Sequence, residues 1–295
     1  MRITVLLNAA SGGGTAPETA RQVEQRLSEA GHAAEVHLAR SGSELERLAK
    51  KAAKDRPDAV LAGGGDGTIN TAAAALMDTG LPLGVLPLGT LNHFAKDLGI
   101  PLALADAVGT ALAGHTTAVD VGEVNGHVFL NNSSIGVYPR VLRLRERHRQ
   151  RGRSKWIAAF WAVLAVLRRH SFMGVRVVAD GETFVRRTPF VFVGNNEYRM
   201  EGLSAGTRES LTDGRLSLYI MNAGGRRSLL WLAWNVLIGR TRKLPELETR
   251  SMLEAEIETH RGDLQVALDG EVMKERGPLA YRVRPGALRV FTPAP

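Results

Sequence analysis

The chain has 295 residues, of which 44% are hydrophobic and 23% charged, and its formal net charge is +8. This composition excludes a mainly disordered protein, because apolar side chains are numerous enough to offset the entropy lost on folding, and the length suits two ordinary domains. The lack of cysteine excludes a disulfide scaffold, a thiolate metal cluster and a cysteine nucleophile. No apolar run reaches the roughly 18 residues that cross a bilayer, so we expect a cytoplasmic protein.

Strand and helix patterns alternate over the first 120 residues. The first helix starts near Thr15 and stops at Gly31, and the second starts at a capping box formed by Ser43 and Glu46. Short apolar strands are predicted at 3–7, 34–38, 59–62 and 83–86. Strands that alternate with helices form an open parallel sheet, whose ligands bind at the carboxyl ends of the strands. The sequence therefore predicts an N-terminal α/β domain over 1–117.

From residue 118 onward the pattern changes to short alternating segments joined by Asp-Gly and Asn-Gly pairs, which are typical of β-hairpins. The predicted strands are 118–121, 127–130, 175–179, 183–187, 190–193, 216–221, 254–259, 264–268, 280–283 and 288–291. Two apolar helices, at 156–169 and 227–239, interrupt them. The predicted fold class is thus α/β plus all-β, with an antiparallel β-sandwich over 118–295. Whether the last strand returns to the first domain stays open.

Nearly all of the net charge lies in residues 140–155, which contain eight basic residues against one acid. Three interpretations are open: a solvated loop, a surface attracted to anionic lipid headgroups, or a nucleic-acid contact. The stretch has no interleaved aromatic residues, which argues against nucleic acid. Trp156, Phe160 and Leu164 follow on one helical face, a pattern typical either of a buried helix or of one that lies in a membrane interface.

Two glycine-containing loops carry the chemistry. The sequence G-G-G-D-G-T-I-N at 63–70 follows the third strand and opens a helix, where glycine lets the backbone approach a ligand and N–H groups favour phosphate. The sequence P-L-G-T-L-N-H-F-A at 87–95 repeats the arrangement after the fourth strand. Asp66 in the first loop binds Mg²⁺, orients a reacting hydroxyl or merely caps a tight turn. The Walker A, G-x-G-x-x-G and protein-kinase signatures are absent from the sequence.

These two loops resemble the catalytic domain of the bacterial diacylglycerol kinase-like lipid kinases, relatives of sphingosine and ceramide kinases. Further matching segments are 8–12, 120–122, 210–216 and 269–271, so the resemblance covers nearly the whole chain. It implies a nucleotide domain of the phosphofructokinase and NAD kinase type followed by a lipid-accepting β-sandwich. The activity it implies is the transfer of phosphate from Mg²⁺-ATP to a lipid hydroxyl of diacylglycerol or a related glycerolipid, a step of phospholipid metabolism.

The resemblance also implies roles for individual residues. Glu271 matches the proton acceptor, assisted by Asp269 or Asp66. The residues implied at a Mg²⁺ site are Ser210, Asp213 and Arg215, of which the first and last supply backbone carbonyls. The residues implied in ATP binding are Asn8, Ala9, Ala10, Ser11, Gly12, Ser41, Gly64, Gly65, Asp66, Gly67, Thr68, Ile69, Asn70, Gly89, Thr90 and Asn92. Ala9, Leu91 and His93 depart from the family's usual Pro, Gly and Asp, which bears on acceptor choice more than on ATP binding.

Other functions stay open. NAD kinases also carry G-G-D-G-T, so a phosphotransferase acting on a soluble acceptor is one alternative, and a non-catalytic protein that binds anionic membranes or nucleic acid is another. G-L-S-A-G at 202–206 matches the serine hydrolase elbow, but that motif needs a preceding strand and a following helix, and neither is predicted. The expected partners are a lipid substrate and an anionic membrane surface, with a peripheral location on its inner face. The oligomeric state, a homodimer included, is not determined by the sequence.

Overall fold

The structure, a computed structural model, describes residues 1–11, 16–136, 172–201, 204–221, 247–260 and 262–294. Its backbone divides into two compact units, the first formed by Met1–Val121, Ser210–Gly214 and Arg284–Pro295, the second by Gly122–Glu209 and Arg215–Val283. The basic segment 140–155 and the helices predicted at 156–169 and 227–239 lie outside the described residues.

The first unit is an α/β unit with a parallel sheet, as the alternating pattern predicts. Its elements are β1 (Arg2–Asn8), α1 (Ala16–Glu29), β2 (Ala33–Ala39), α2 (Gly42–Asp55), β3 (Ala59–Gly64), α3 (Asp66–Leu76), β4 (Leu83–Pro87), α4 (His93–Asp97), α5 (Leu104–Leu112) and the start of β5 (Thr116–Val124). The end of β18 (Leu279–Phe291) joins them, and the parallel strands run in the order β2, β1, β3, β4, β18. Buried aliphatic residues fill β1, β3 and β4, as covered parallel strands require.

The helices of this unit bury the apolar faces that their sequences predict. Val23 and Leu27 of α1 are fully buried, and Gly31, at φ +78°, ends the helix in the left-handed region. The predicted capping box of α2 is wrong by two residues. The N-cap is Ser41, whose hydroxyl accepts the N–H of Glu44 at 3.2 Å. The backbone is still extended at Ser41, so the helix begins one residue later, at Gly42, and the predicted cap Ser43 lies within its first turn.

The second unit is an antiparallel β-sandwich. Besides the end of β5 and the start of β18, its strands are β6 (His127–Phe129), β7 (Asn132–Gly136), β8 (Met173–Ala179), β9 (Glu182–Thr188), β10 (Phe190–Asn195), β11 (Tyr198–Glu201), β12 (Ser204–Arg208), β13 (Leu216–Met221), β14 (Leu247–Met252), β15 (Glu254–Thr259), β16 (Asp263–Leu268) and β17 (Glu271–Arg276). One layer has the order β14, β13, β10, β7, β16, β17. The other packs β18, β15, β8 and β9, and both bury apolar residues in one shared core.

Two departures from the predicted strands have physical causes. β18 is one strand where two are predicted: it runs through the Pro-Gly pair because glycine tolerates φ +57° at Gly286, whose N–H donates to Asp120 Oδ1. β7 is absent from the predicted set because N-S-S-I-G is polar, yet it lies at the centre of its layer with Ser133 fully buried. That hydroxyl is bonded to Tyr281 OH at 2.9 Å, which satisfies it inside the core.

Candidate active site

The predicted glycine loops meet at one edge of the parallel sheet. β1, β3 and β4 are neighbours in register, with Leu7 opposite Gly63 and Gly64 opposite Pro87. Their carboxyl ends therefore reach the same edge, and each continues directly into one of the predicted loops. This is the edge at which open α/β sheets bind their ligands.

The first two loops are joined by an amide and a hydroxyl. Asn8 Nδ2 donates to Thr68 Oγ1 at 3.1 Å, and Asn8 Oδ1 accepts the N–H of Ala10 at 3.0 Å. A Cβ on Gly64 would collide with the Thr68 side chain, so the strand end must be glycine for Thr68 to lie where it does. These contacts shape the backbone around the first turn of α3.

The loops after β3 and β4 touch through their glycines. A Cβ on Gly89 would lie 2.5 Å from the Cα of Gly65, which leaves room only for a hydrogen atom. Gly65 is the N-cap of α3 and makes no side-chain cap hydrogen bond, so the cap itself offers no side chain to the N–H groups of the first turn. The arrangement is chemically suited to the phosphates of a nucleotide.

The Asn92 side chain stabilises the second loop through hydrogen bonds to the loop's own backbone. Asn92 takes φ +51° and is buried, with Oδ1 accepting the N–H of Gly89 at 3.0 Å. Its Nδ2 donates to the carbonyls of Pro87 at 3.2 Å and Gly89 at 3.0 Å. The amide that the sequence implicates in ATP binding thus holds the loop backbone, while Thr90 beside it is exposed.

Asp66 links the first glycine loop to the second. Its Oδ1 accepts the N–H of Phe94 in α4 at 3.3 Å, although the two residues are 28 positions apart. The remaining predicted residues lie along the same edge: Ala9, Ala10 and Ser11 follow β1, Ser41 caps α2, and Gly67, Ile69 and Asn70 belong to α3, with the Ile69 side chain buried. Gly12 lies outside the described residues.

The acidic turn belongs to the second unit. Asp269 (φ +47°) and Gly270 (φ +90°) connect β16 to β17, and Leu268 pairs with Glu271 across the turn. Asp269 Oδ2 accepts the N–H of Leu130 at 2.8 Å, and Oδ1 accepts those of Asn131 and Asn132 at 2.8 and 2.9 Å. The Glu271 side chain is exposed.

The Asp269 carboxylate is enclosed although the residue as a whole keeps some exposure. Burial raises the pKa of this carboxyl to about 6, while the three backbone donors and the Arg208 guanidinium act in the opposite direction. From the sequence, Asp269 or Asp66 is expected to assist the proton acceptor. The oxygens of Asp269 are instead committed to backbone N–H groups.

Arg208 is a buried residue that sequence reasoning missed. Its guanidinium donates to the Leu130 carbonyl at 2.6 Å, the Asn195 carbonyl at 3.1 Å and Asn131 Oδ1 at 2.8 Å, and it lies over the Tyr198 ring. A lone arginine in a short polar strand carries no periodic signal. Only its partners, 13 to 78 residues away along the chain, make it recognisable.

Asp120 is the second residue missed, although its segment matches the family. Its carboxylate is buried and accepts the N–H groups of Gly214 at 2.6 Å and Gly286 at 2.9 Å, while its own N–H donates to the Leu211 carbonyl. The signal available in the sequence is an acid between the two valines of A-V-D-V in β5. Asp120 therefore anchors the loop that contains the predicted metal residues.

The donor chemistry of that loop fits Mg²⁺. The carboxylate of Asp213 is exposed, and backbone carbonyls at Ser210 and Arg215 add the hard oxygen ligands that Mg²⁺ prefers. The Arg215 carbonyl already accepts the N–H of Asn196 at 3.0 Å. Among the described residues no group of three or more His, Asp or Glu side chains converges, so any ion here would rely largely on backbone carbonyls and water.

The serine hydrolase alternative is not supported by the geometry. Ser204 begins β12 and pairs with Glu201 of β11 in a hairpin. A nucleophile elbow requires a strand that turns into a helix at the serine. The strand after Ser204 removes that arrangement.

Glycine loops at the carboxyl edge of a parallel sheet, followed by an antiparallel sandwich, define the fold class. Two family profiles match it: residues 2–124 match the diacylglycerol kinase catalytic domain, and residues 132–292 match the YegS C-terminal NAD kinase beta sandwich-like domain. The second match alone covers more than half of the chain. The chain therefore belongs to the diacylglycerol kinase-like and YegS-like family of lipid kinases, which confirms the resemblance seen in its sequence.

Individual relatives agree. "Diacylglycerol kinase" of Bacillus subtilis (strain 168) is 36% identical over 133 residues, 44% of this chain and 44% of that protein. "Probable lipid kinase YegS-like" of Yersinia pestis (strain Pestoides F) is 37% identical over 144 residues, 46% of this chain and 47% of that protein. The matched region thus spans a little under half the length of these curated relatives.

A solved structure shares the fold. The crystal structure of a diacylglycerol kinase from Bacillus anthracis str. Sterne aligns with a TM-score of 0.74 at 20% identity, covering 99% of this chain and 97% of that one. The predicted fold class is confirmed. In the part of the chain that the structure describes, no helix has the length and hydropathy needed to cross a membrane.

Proposed function

We propose that the protein is an ATP-dependent lipid kinase that transfers the γ-phosphate of Mg²⁺-ATP to a hydroxyl group of diacylglycerol or a related glycerolipid. The observation that carries the proposal is the contact between Gly65 and Gly89, which builds a backbone cradle at the sheet edge. Membership of a kinase family supports ATP as the phosphoryl donor. The protein's relatives named diacylglycerol kinase and probable lipid kinase support a lipid as the acceptor.

Phosphoryl transfer requires positioning and charge stabilisation more than covalent chemistry. When bound, Mg²⁺-ATP supplies the transferable phosphoryl group and the neutralisation of its charge. The backbone N–H groups from Gly65 to Thr68 would bind its phosphates, Gly89 leaves room for the approach of that backbone, and Asn8 and Asn92 keep the loops in shape. Asp213, with the carbonyls of Ser210 and Arg215, would hold a Mg²⁺ ion. Asp66 orients the two glycine loops through its hydrogen bond to Phe94.

Glu271 is the proposed general base. Its carboxylate is exposed, so it can take the proton of the acceptor hydroxyl. The acceptor oxygen then forms a bond to the γ-phosphorus, and the bond between that phosphorus and the ADP oxygen breaks. The products are a phosphorylated lipid and ADP, with the proton on Glu271.

The decisive experiment incubates the protein with Mg²⁺ and ATP labelled at the γ-phosphate, using a panel of lipids in mixed micelles. The panel contains diacylglycerol, monoacylglycerol, phosphatidylglycerol, ceramide and a sphingoid base, and products are resolved by chromatography. Label in a glycerolipid supports the proposal, and an Asp66→Ala variant should lose most of that label. Failure on every lipid contradicts it.

A parallel incubation with NAD in place of lipid tests the soluble-acceptor alternative. The sandwich profile is described as NAD kinase-like, which is a likeness of domain type. We expect no phosphorylated NAD. Phosphorylation of NAD without phosphorylation of any lipid would reverse the choice of acceptor.

We also propose that the protein works in the cytoplasm, peripherally on the inner face of the membrane. The support is the concentration of basic residues at 140–155. Electrostatic attraction contributes up to about 1 kcal/mol for each basic residue near an anionic surface. Co-sedimentation with liposomes should therefore rise with their content of phosphatidylglycerol and fall with added salt. Binding that ignores both would contradict the electrostatic part of the proposal.

A further inference from the structure

The backbone segment 130–132 is unusually well occupied by hydrogen bonds. The N–H groups of Leu130, Asn131 and Asn132 all point at the Asp269 carboxylate. The Asn132 carbonyl accepts the N–H of Asp269 at 2.9 Å, which closes a ring between the two segments. Three consecutive donors around one carboxylate form an anion-binding nest that a side chain of this protein fills.

The carbonyls of the same segment are bound from the other side. The Leu130 carbonyl accepts Nδ2 of Asn195 at 3.0 Å as well as the guanidinium of Arg208, and the Asn131 carbonyl accepts the N–H of Asn195 at 2.9 Å. Every backbone N–H and carbonyl of the segment is thus paired. Because Arg208 also holds Asn131 Oδ1, the segment is rigidly supported by two opposite charges, Asp269 on one side and Arg208 on the other.

The turn that contains Glu271 is held in place by the hydrogen bonds between Asp269 and residues 130–132. Asp269 and Gly270 both have positive φ, a conformation that only local contacts or glycine make comfortable. Glu271 follows directly and is fixed through its pairing with Leu268. The hydrogen bonds between the Asp269 carboxylate and residues 130–132 therefore fix the backbone two residues before Glu271, whose carboxylate is exposed.

We propose that Asp269 is a positioning residue that directs Glu271 by binding the backbone of residues 130–132, and that Arg208 is the second support of the same segment. The proposal rests on the kinase function proposed above. Under this proposal Asp269 does not take the proton of the acceptor hydroxyl, because its carboxylate oxygens accept three backbone N–H groups.

The structural half is tested without any substrate. Asp269→Asn replaces one accepting oxygen by an NH₂ group, so it cannot satisfy the same three donors. Hydrogen exchange of the amides of residues 130–132 should quicken on the order of tenfold or more in Asp269→Asn. Asp263→Asn, at the opposite end of β16 from the turn, is the control, since Asp263 is exposed, and it should leave those amides protected. Unchanged protection in Asp269→Asn would overturn the proposal.

The functional half uses a double-mutant cycle on lipid phosphorylation. Asp269→Asn should lower kcat about 10- to 100-fold with little change in KM for ATP, since small displacements of a reacting group cost this much. In a Glu271→Gln background the same substitution should have almost no further effect on kcat. A second full loss in that background would overturn the proposal, because Asp269 would then act independently of Glu271.

The pH profile separates positioning from direct proton transfer. If Asp269 only positions Glu271, Asp269→Asn should lower the plateau value of kcat. The fall of kcat at acidic pH, which is due to protonation of the base, should remain. Disappearance of that fall in Asp269→Asn would make Asp269 the base and overturn the proposal. If Asp269→Asn does not fold, Arg208→Lys, which keeps the charge but loses the fork of donors, should reproduce both the amide exchange and the selective loss in kcat.

The kinase function and the positioning role of Asp269 can fail independently of each other. If the wild-type protein phosphorylates no lipid, the kinase proposal fails on its own assay, while the exchange experiment still reports on the hydrogen bonds of Asp269. If it phosphorylates lipid and the cycle is additive, the kinase proposal stands and the positioning role fails.

Discussion

The glycine loops of the first unit and the acidic turn of the second are built in opposite ways. At the loops the geometry depends on side chains that are missing, since a Cβ on Gly89 would lie 2.5 Å from the Cα of Gly65. At the turn it depends on a side chain that is present, since one carboxylate collects three backbone N–H groups. The comparison teaches that the first site is broken by adding one methyl group and the second by replacing one oxygen atom.

The largest effect is expected at the side chain that the turn presents. Glu271→Gln keeps the shape of Glu271 and removes its capacity to take a proton, so lipid phosphorylation should fall about 10²- to 10⁴-fold. The melting temperature should stay unchanged because the side chain is exposed. Glu256→Gln, at another exposed glutamate of the second unit, is the control. Full activity in Glu271→Gln would remove Glu271 from the mechanism.

The next effect tests the loops. Gly89→Ala forces the loop backbone away from Gly65, so we expect kcat/KM for ATP to fall on the order of 100-fold, with a higher KM. Gly109→Ala is a matched control in the same unit, because nothing lies within 4 Å of a Cβ there. The control should change the free energy of unfolding by less than about 1 kcal/mol and spare ATP binding. Equal behaviour of the two variants would refute the steric explanation.

A third prediction concerns Asp120. Its carboxylate accepts the N–H groups of two glycines, so this site depends both on glycine and on one acidic side chain. Asp120→Asn leaves one of the two donors without its oxygen in a buried place, at a cost of about 1–3 kcal/mol in the free energy of unfolding. Denaturant unfolding measures this loss. Asp106→Asn, at an exposed position in α5, should cost about 0.5 kcal/mol. Equal losses in both variants would show that the buried contacts of Asp120 contribute nothing.

The smallest expected effect is a pH dependence of the unfolding free energy that is caused by Asp269. Burial raises the pKa of Asp269 to about 6 from an ordinary value of 3.8, so the folded protein binds this proton more tightly than the unfolded chain. The contribution to stability is therefore complete below about pH 4 and is lost as the pH rises through 6. The unfolding free energy of the wild type, measured relative to Asp269→Asn, should fall by on the order of 2 kcal/mol between these limits. A difference that does not vary with pH would show that the three N–H donors cancel the effect of burial.

Much of the fold could be predicted because its signals are local. The apolar runs that became β1 to β4 and the buried stripe of α2 are properties of short windows. β7 and β17 could not be predicted in this way. Serines 133 and 134 are buried only because neighbouring strands cover them, and E-V-M-K-E-R in β17 is a polar-rich edge strand that depends on its pairing with β16.

The candidate site divides in the same manner. The glycine loops could be predicted, because the conformations that glycine permits and the N–H groups of a helix start depend on a few adjacent residues. Asn92 was predicted as a ligand contact, yet the structure uses its amide to hold the loop. The predicted Ser41 lies at a strand end as a helix cap, which is a structural role visible only once the start of α2 is known.

The sequence by itself determined the alternation of elements, the two phosphate-type loops and the location of nearly all the net charge, because each is written in consecutive residues. The tertiary structure decided that Gly65 meets Gly89, that Asp120 anchors the loop at 210–214, and that Asp269 binds a segment about 138 positions away along the chain. Such contacts depend on how strands pair and which groups they bury. A carboxylate acquires its role only when folding has removed water and supplied the backbone donors that replace it.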